Sequence, residues 1–359
     1  MHDNPLAGPI KRKPDLMLLD IDTVIDIHAS KPEWKIVSAL GEITSKPSNS
    51  VLESTIKNKA YITMNAQHDR RYFPCLSFFG GASFRLTLCD RAGIVVSNAY
   101  NIHTDALQLV RILTALVLGD SFLVGYDPTM RRGPGGDIIS IMVDGDEYRV
   151  VKKLFSSTSL RGRATRCWHV ERDGEQFVIK DSWIHEGRTS SEIDILVEIA
   201  AIDCVPTFIK GEDLKYPRVA TMDGNSTITD STKLWRAGLD YTEARVHRRI
   251  LMQPVGVAIY DFTSKKELMG ALVDVVESTS FISHFYYKLT PKFIPAHKIL
   301  CERYRLLHRD ISKNNLLLWW DPKFKGNHRR GLVIDYDYAE RLDKEGDFSI
   351  GSRTVSFNL

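Results

Sequence analysis

The stretch HRDISKNN, residues 308–315, sets Asp310 five positions before Asn315, and the apolar run GLVIDYD at 331–337 then delivers Asp335 at the end of a strand after the turn-rich DPKFKGNHRR. An acid and an amide in one loop, with a second acid at a nearby strand end, suit one chemistry well. A carboxylate can orient a hydroxyl and accept its proton, while oxygen donors hold a hard divalent cation such as Mg²⁺. Asp310 fits the first role, and Asn315 and Asp335 fit the second. H-R-D alone arises by chance in a long chain, so the reading depends on what stands upstream.

Two upstream features complete the set. Lys180 closes the apolar strand FVIKDSW, where an edge lysine is ordinarily just solvated. In SSEIDILVEI, Glu192 shares a helical face with Ile195, Leu196 and Ile199, so its carboxylate points with the core-facing side chains and needs a cation. Lys180 is the expected partner, placed to hold nucleotide phosphates; Glu198 is the competitor on a less apolar face. A third feature, LRGRATRCW at 160–168, offers Gly162 and Ala164 for close backbone approach to phosphates, although alone those residues read first as a plain hairpin turn.

At 359 residues, with roughly 100–200 residues per domain as a guide, the chain is expected to form two domains. Gly/Pro punctuation in MRRGPGGD puts the boundary at 135, giving an N-terminal module over 1–135 and a second domain over 136–359. In the first, SFRLTLCDRAGIVVSNAY predicts a hairpin. TDALQLVRILTALVLG predicts a helix capped by Thr104, with Leu107, Val110, Leu113, Leu116 and Val117 facing that hairpin. SVLESTIKNKAYITM suggests a helix with Leu52, Ile56 and Tyr61 on one face. In the second, Asp173–Gly174 predicts a tight hairpin, GVAIYDF a buried strand, and TSKKELMGALVDVVEST a helix opened by Thr263 or Ser264.

The net charge of +3 without a long basic run implies no nucleic-acid partner, and no window approaches the roughly 18 apolar residues of a membrane span. Without an apolar leader, an intracellular location, cytoplasmic or nuclear, is expected. The five widely spaced cysteines, Cys75, Cys89, Cys167, Cys204 and Cys301, read as free thiols. The oligomeric state is left open.

On HRDIS, VIDYDYA, GRATRCW and VIKDSW, together with DRRYFPCLSFFGGASFRLTLCDRAGIVVS and VGYDPT, the chain resembles the fungal-type protein kinase family within the eukaryotic protein-kinase-like superfamily. The resemblance covers most of residues 65–357. It implies an α+β fold with a protein-kinase-like N-lobe and partial C-lobe, preceded by a small α+β N-terminal domain. It implies ATP and Mg²⁺ as cofactors, and transfer to Ser or Thr hydroxyls of a protein substrate. Asp310, Lys180 and Glu192 are then catalytic, Gly162, Ala164 and Lys180 touch the nucleotide, and Asn315 and Asp335 bind the metal.

Several features depart from the pattern. Ser312 stands where a lysine is usual, with Lys313 beside it as a candidate replacement; Asp337 stands where most kinases have a flexible glycine; and STSFISHFYYKLTPKFIP looks inserted. Residues 336–359 alone follow Asp335, so a C-terminally truncated chain with little activity of its own is expected, with Leu316, Leu317, Leu318 and Ile334 short of partners. Two other classes compete. One is a kinase-like binding module without catalysis. The other is a haloacid-dehalogenase-like phosphatase, because LMLLDIDTVI places Asp20, Asp22 and Val24 in a D-x-D-x-[TV] pattern.

Overall fold

The computed structural model describes residues 14–20, 33–47, 50–188, 191–217, 227–236, 243–278, 300 and 304–341. The elements begin with β1 (Leu16–Leu19), β2 (Val37–Thr44), α1 (Ser50–Ala66), β3 (Tyr72–Phe79), β4 (Ser83–Asp90), β5 (Gly93–Val96), β6 (Tyr100–Asn101) and α2 (Ala106–Leu118). There follow β7 (Met130–Arg132), β8 (Ile138–Val143), β9 (Asp146–Ser156), β10 (Arg166–Arg172), β11 (Glu175–His185), α3 (Glu192–Glu198), β12 (Thr207–Asp213), β13 (Lys215–Pro217) and β14 (Thr227–Thr229). The last are β15 (Arg245–Gln253), β16 (Val257–Ala258), α4 (Lys265–Ser278), β17 (Leu306–Leu307), β18 (Leu316–Trp319), β19 (Arg330–Val333) and β20 (Glu340–Arg341).

The chain folds as two compact units, each discontinuous in sequence. Unit 1 takes Met1–Trp168, Asp181–Glu186 and Asp213–Arg248; unit 2 takes His169–Lys180, Gly187–Glu212 and Arg249–Leu359. This is a different kind of division from a single cut at residue 135.

Unit 1 is built on a six-stranded sheet in the order β1-β2-β3-β4-β5, with β6 also on β4. Only β2 and β3 pair in parallel, and α1 is the crossover that such a pair requires. Strand alternation sends Phe73 and Cys75 to the α1 face, where Leu52, Ile56, Ala60 and Met64 form a stripe at i+4 spacing. Tyr61 is only half-buried beside that stripe, so the helix is as expected but its inner face is turned slightly. Leu76 and Phe84 meet α2 through Ile112, flanked by Leu109 and Leu116.

The expected face of α2 is corrected here. Leu107, Val110 and Val117 are 64%, 57% and 58% exposed, and Ile112 is the buried residue. Nearly every position of ALQLVRILTALVL is apolar, so periodicity left the rotation of the helix undetermined. Nor does Thr104 cap it: the helix begins after Asp105, whose carboxylate accepts from the Asn101 amide at 2.8 Å and the Thr104 hydroxyl at 3.2 Å.

Buried charge also organises unit 1. The His247 ring lies between Asp230 Oδ2 (3.1 Å, Nδ1) and Asp181 Oδ2 (3.0 Å, Nε2) and stacks on Trp183. Arg236 forks onto both oxygens of Asp90. The phosphatase alternative finds no support: β1 is antiparallel to β2, and Asp20 accepts from Arg132 Nη1 at 2.8 Å. Asp22 and Val24 lie outside the described residues.

In unit 2 the portions of β10, β11, β15 and β12 that belong to it follow that sheet order, and β16, β18 and β19 form a small antiparallel sheet. The expected turn at Asp173–Gly174 is present, with φ of 54° and 81°. One core joins Ile195, Leu196 and Ile199 of α3, Ala271 and Val275 of α4, and Leu316, Leu318, Val333 and Tyr336. Leu316 and Leu318 are therefore buried, contrary to the expectation that they lack cover; α4 packs on β19 and supplies it. The approach is close enough that a Cβ on Gly331 would stand 2.2 Å from the Ala271 carbonyl oxygen.

Helix α4 starts as expected. Ser264 Oγ accepts from the Glu267 amide at 3.1 Å, and Glu267 reaches back to the Thr263 amide at 2.6 Å. GVAIYDF, however, is not a buried strand. Only Val257–Ala258 is extended, and a 3-10 turn over Ile259–Asp261 buries Ile259 while Tyr260 is exposed. Cys75, Cys89, Cys167 and Cys204 are free thiols, and Cys301 lies outside the described residues. Among the described residues no helix is long and apolar enough to cross a membrane.

Candidate active site

Lys180 ends its stretch of β11 in unit 2, where alternation along FVIK turns the ammonium inward with Val178. Ser191 opens α3 by accepting from the Ile193 amide at 3.2 Å, which fixes the helix phase so that Glu192 faces the core with Ile195 and Leu196. The result is a buried, bidentate ion pair: Lys180 Nζ donates to Glu192 Oε1 at 2.8 Å and Oε2 at 2.7 Å. Glu198 faces elsewhere and pairs with Arg341.

The strand β19 brings a third partner. After Ile334 the chain turns sharply at Asp335, which has φ 67° and ψ 70°, a conformation that an ordinary side chain adopts only under constraint. The turn aims Asp335 Oδ1 at Lys180 Nζ, 2.7 Å away, and the 3-10 turn Tyr336–Tyr338 then sets Asp337 Oδ2 at 3.3 Å from the same nitrogen. The Tyr336 amide donates to Glu192 Oε1 at 3.2 Å, tying this turn to α3.

Three carboxylates thus surround one ammonium, with ligand oxygens from Glu192, Asp335 and Asp337 all within 4.8 Å of one another. Burial alone would lower the lysine's pKa. The attraction of Asp337, Glu192 and Asp335 overrides it, so Lys180 stays protonated, with its pKa well above the usual lysine value. Burial pushes Glu192 up to about 7 despite Lys180, with Asp337 and Asp335 adding repulsion. Hard oxygen donors at this spacing are the chemistry that a small divalent cation takes, so the residues fit Mg²⁺.

The loop at 308–315 is held against the same strand end. Asn315 Nδ2 donates to the Asp310 carbonyl at 2.8 Å and to Asp310 Oδ2 at 3.1 Å, fixing the acid within its loop. The Ile334 amide donates to the Asn315 carbonyl at 3.0 Å, and His308 Nε2 lies 3.2 Å from the Ile334 carbonyl. Burial lowers the His308 pKa, so the ring is neutral. Its Nδ1 accepts from the Asp310 amide at 3.3 Å, which leaves Nε2 as the donor to Ile334. A neutral buried histidine therefore bridges the loop carrying Asp310 and the strand carrying Asp335.

Lys180, Glu192 and Asp335 thus form one cluster and Asp310 with Asn315 a second, joined through Ile334. Gly162 and Ala164 belong to unit 1, where the Gly162 amide donates to the Arg91 carbonyl at 2.8 Å. Lys313 is exposed, so it is not turned inward in place of the lysine missing at Ser312. Sequence reasoning missed Asp337 as a member of the cluster, treating it only as a replacement for glycine. Its signal was a carboxylate two residues past a strand-ending acid. Ser352 and Thr354 lie outside the described residues, and Arg309 pairs with Glu340.

A lysine and glutamate paired beside a strand-ending aspartate, with an H-R-D loop on the same strand, is the arrangement of a kinase-type phosphotransferase. The sequence profile described as "fungal protein kinase" matches residues 13–282 and 291–356, and the chain belongs to that family. Its fold is accordingly α+β and kinase-like. Among solved structures the chain is similar to the Cydia pomonella granulovirus kinase PK-1, at 16% identity and a TM-score of 0.30, with 55% of each chain covered. The chain thus spans about half the length of that structure. No curated protein matches.

Proposed function

We propose that this chain transfers the γ-phosphoryl group of ATP, complexed with Mg²⁺, to a serine or threonine hydroxyl of a protein substrate. The observation that carries the reading is the buried Lys180–Glu192 pair in contact with Asp335. Lys180 would hold nucleotide phosphates, and Glu192 would hold Lys180 in place. Asp335 and Asn315 would hold Mg²⁺, which when bound neutralises charge that develops on the phosphates.

Asp310 would orient the attacking hydroxyl and accept its proton. Its carboxylate is already fixed by Asn315 Nδ2, and its backbone by His308. Positioning of this kind is most of what phosphoryl transfer asks of a protein, because the transition state is loose and little covalent chemistry falls to side chains. The test is transfer of labelled γ-phosphate from ATP to a mixture of Ser/Thr-containing peptides. Mg²⁺-dependent transfer that Asp310→Asn reduces by about a hundredfold or more supports the reading. Equal transfer by wild type and variant would place the base elsewhere.

A further inference from the structure

Helix α2 carries two apolar faces, and the sheet of unit 1 covers one of them. The inner face sets Ile112 on Leu76 and Phe84, with Leu109 and Leu116 beside it. On the opposite side Leu107, Val110 and Val117 stand out of the core, and Leu113 and Leu118 join them at 38% and 78% exposed. Successive residues of a helix turn by about 100°, so positions 107, 110, 114, 117 and 118 fall on one stripe facing away from Ile112. A monomer seldom leaves an apolar stripe of this extent to water unless something docks on it.

The stripe has the pattern of a helix-pairing seam. Leu107, Val110, Thr114 and Val117 follow one another at spacings of three, four and three, as a and d positions do, and Leu113 and Leu118 flank them at g and e. Arg111 is the one charged residue in ALQLVRILTALVL. A face with so little charge has nothing to select a charged partner; its complement is another apolar stripe of the same period, and a second copy of the chain supplies one. About the two-fold axis of an antiparallel pair, Leu107 meets the partner's Val117 and Val110 meets the partner's Thr114. That alignment also sets the start of each helix beside the end of the other, where their dipoles attract.

We infer that the outer face of α2 is an interface between two copies of this chain, paired antiparallel through Leu107, Val110 and Val117 with Leu113 and Leu118 at the flanks. The inference is independent of the kinase reading. These five side chains expose on the order of 500 Å² per copy, so two copies bury about 1,000 Å² between them, the size at which a specific interface begins. That area supports a reversible dimer in the micromolar range, short of a permanent one. The outer positions are not those that hold α2 on the sheet, which are Leu109, Ile112 and Leu116. Substitutions on the stripe therefore act on association and leave the helix seated.

The test is sedimentation velocity of the full chain from about 1 to about 300 µM, a range that brackets a micromolar dissociation constant. The wild type should pass from monomer to dimer as the concentration rises, with no larger species. Because position 107 meets 117 across the axis, Leu107→Lys/Val117→Lys and Leu107→Glu/Val117→Glu should each weaken association about tenfold or more alone, and an equimolar mixture of the two should recover it. Should the charged variants fail to fold, Val117→Gln alone should still weaken the dimer several-fold. A wild type that stays monomeric throughout overturns the inference without any variant, and so does a dimer that these substitutions leave unchanged. A dimer that both double substitutions break and their mixture does not restore overturns the antiparallel pairing.

Discussion

Replacing Lys180 with methionine removes the ammonium shared by Glu192, Asp335 and Asp337 and leaves its space filled. Removing one partner of a buried ion pair costs about 3–5 kcal/mol when the remaining charge stays ionised. That condition is pH-dependent here. Burial already holds Glu192 at about 7, and without the lysine the carboxyls take up protons still more readily. A carboxyl whose folded pKa lies above its unfolded value costs stability once the pH passes the unfolded value, and the cost grows until the folded pKa is passed. The loss should therefore be about 3 kcal/mol or more at pH 8 and shrink to about 1 kcal/mol near pH 5, where protonated carboxyls no longer need the cation. Urea unfolding of wild type and Lys180→Met at both values measures the difference directly. An equal loss at the two pH values would refute the picture of carboxylates gathered on one ammonium.

Three more outcomes follow from the geometry. The His247 ring, lowered by burial but raised more by Asp181 and Asp230, titrates at about 9 against 6.5 unfolded. Its contribution, about 3 kcal/mol, is complete below pH 6.5 and lost as the pH rises through 9; unfolding curves of His247→Gln should lack that decline. On α2, Ile112→Ala should cost about 2–4 kcal/mol and Val110→Ala under about 0.5 kcal/mol; the reverse order in thermal unfolding would restore the face that periodicity suggested. Glu267 accepts from Thr263 and from Arg329, so Glu267→Ala should cost about 1–3 kcal/mol in chemical denaturation, and no loss would mean that these bonds do not hold α4.

The cluster was legible where residue type and local period act together. Lys180 ends an apolar strand, and Glu192 falls on the apolar stripe of a capped helix, so each side chain's direction follows from its own element. Asp310 and Asn315 were legible because their spacing lies within one loop. The face of α2 was not, because a helix with apolar residues on every side is oriented by the sheet it meets, through Leu76 and Phe84. The burial of Leu316 and Leu318 was missed because their cover, α4, is distant in sequence. Asp337 escaped for a related reason: its position depends on the left-handed backbone at Asp335, which no residue pattern announced.

We propose that Lys180, Glu192 and Asp335 form a Mg²⁺-nucleotide site. Thermal unfolding with and without Mg²⁺-ATP, for wild type and Asp335→Asn, tests it most directly. The substitution keeps the size of the side chain and removes a charged metal ligand. At a hundredfold excess of ligand over Kd, the wild type should gain about 2.7 kcal/mol, and Asp335→Asn should gain little at the same concentration. No gain in the folded wild type, or the same gain in both, would contradict the account.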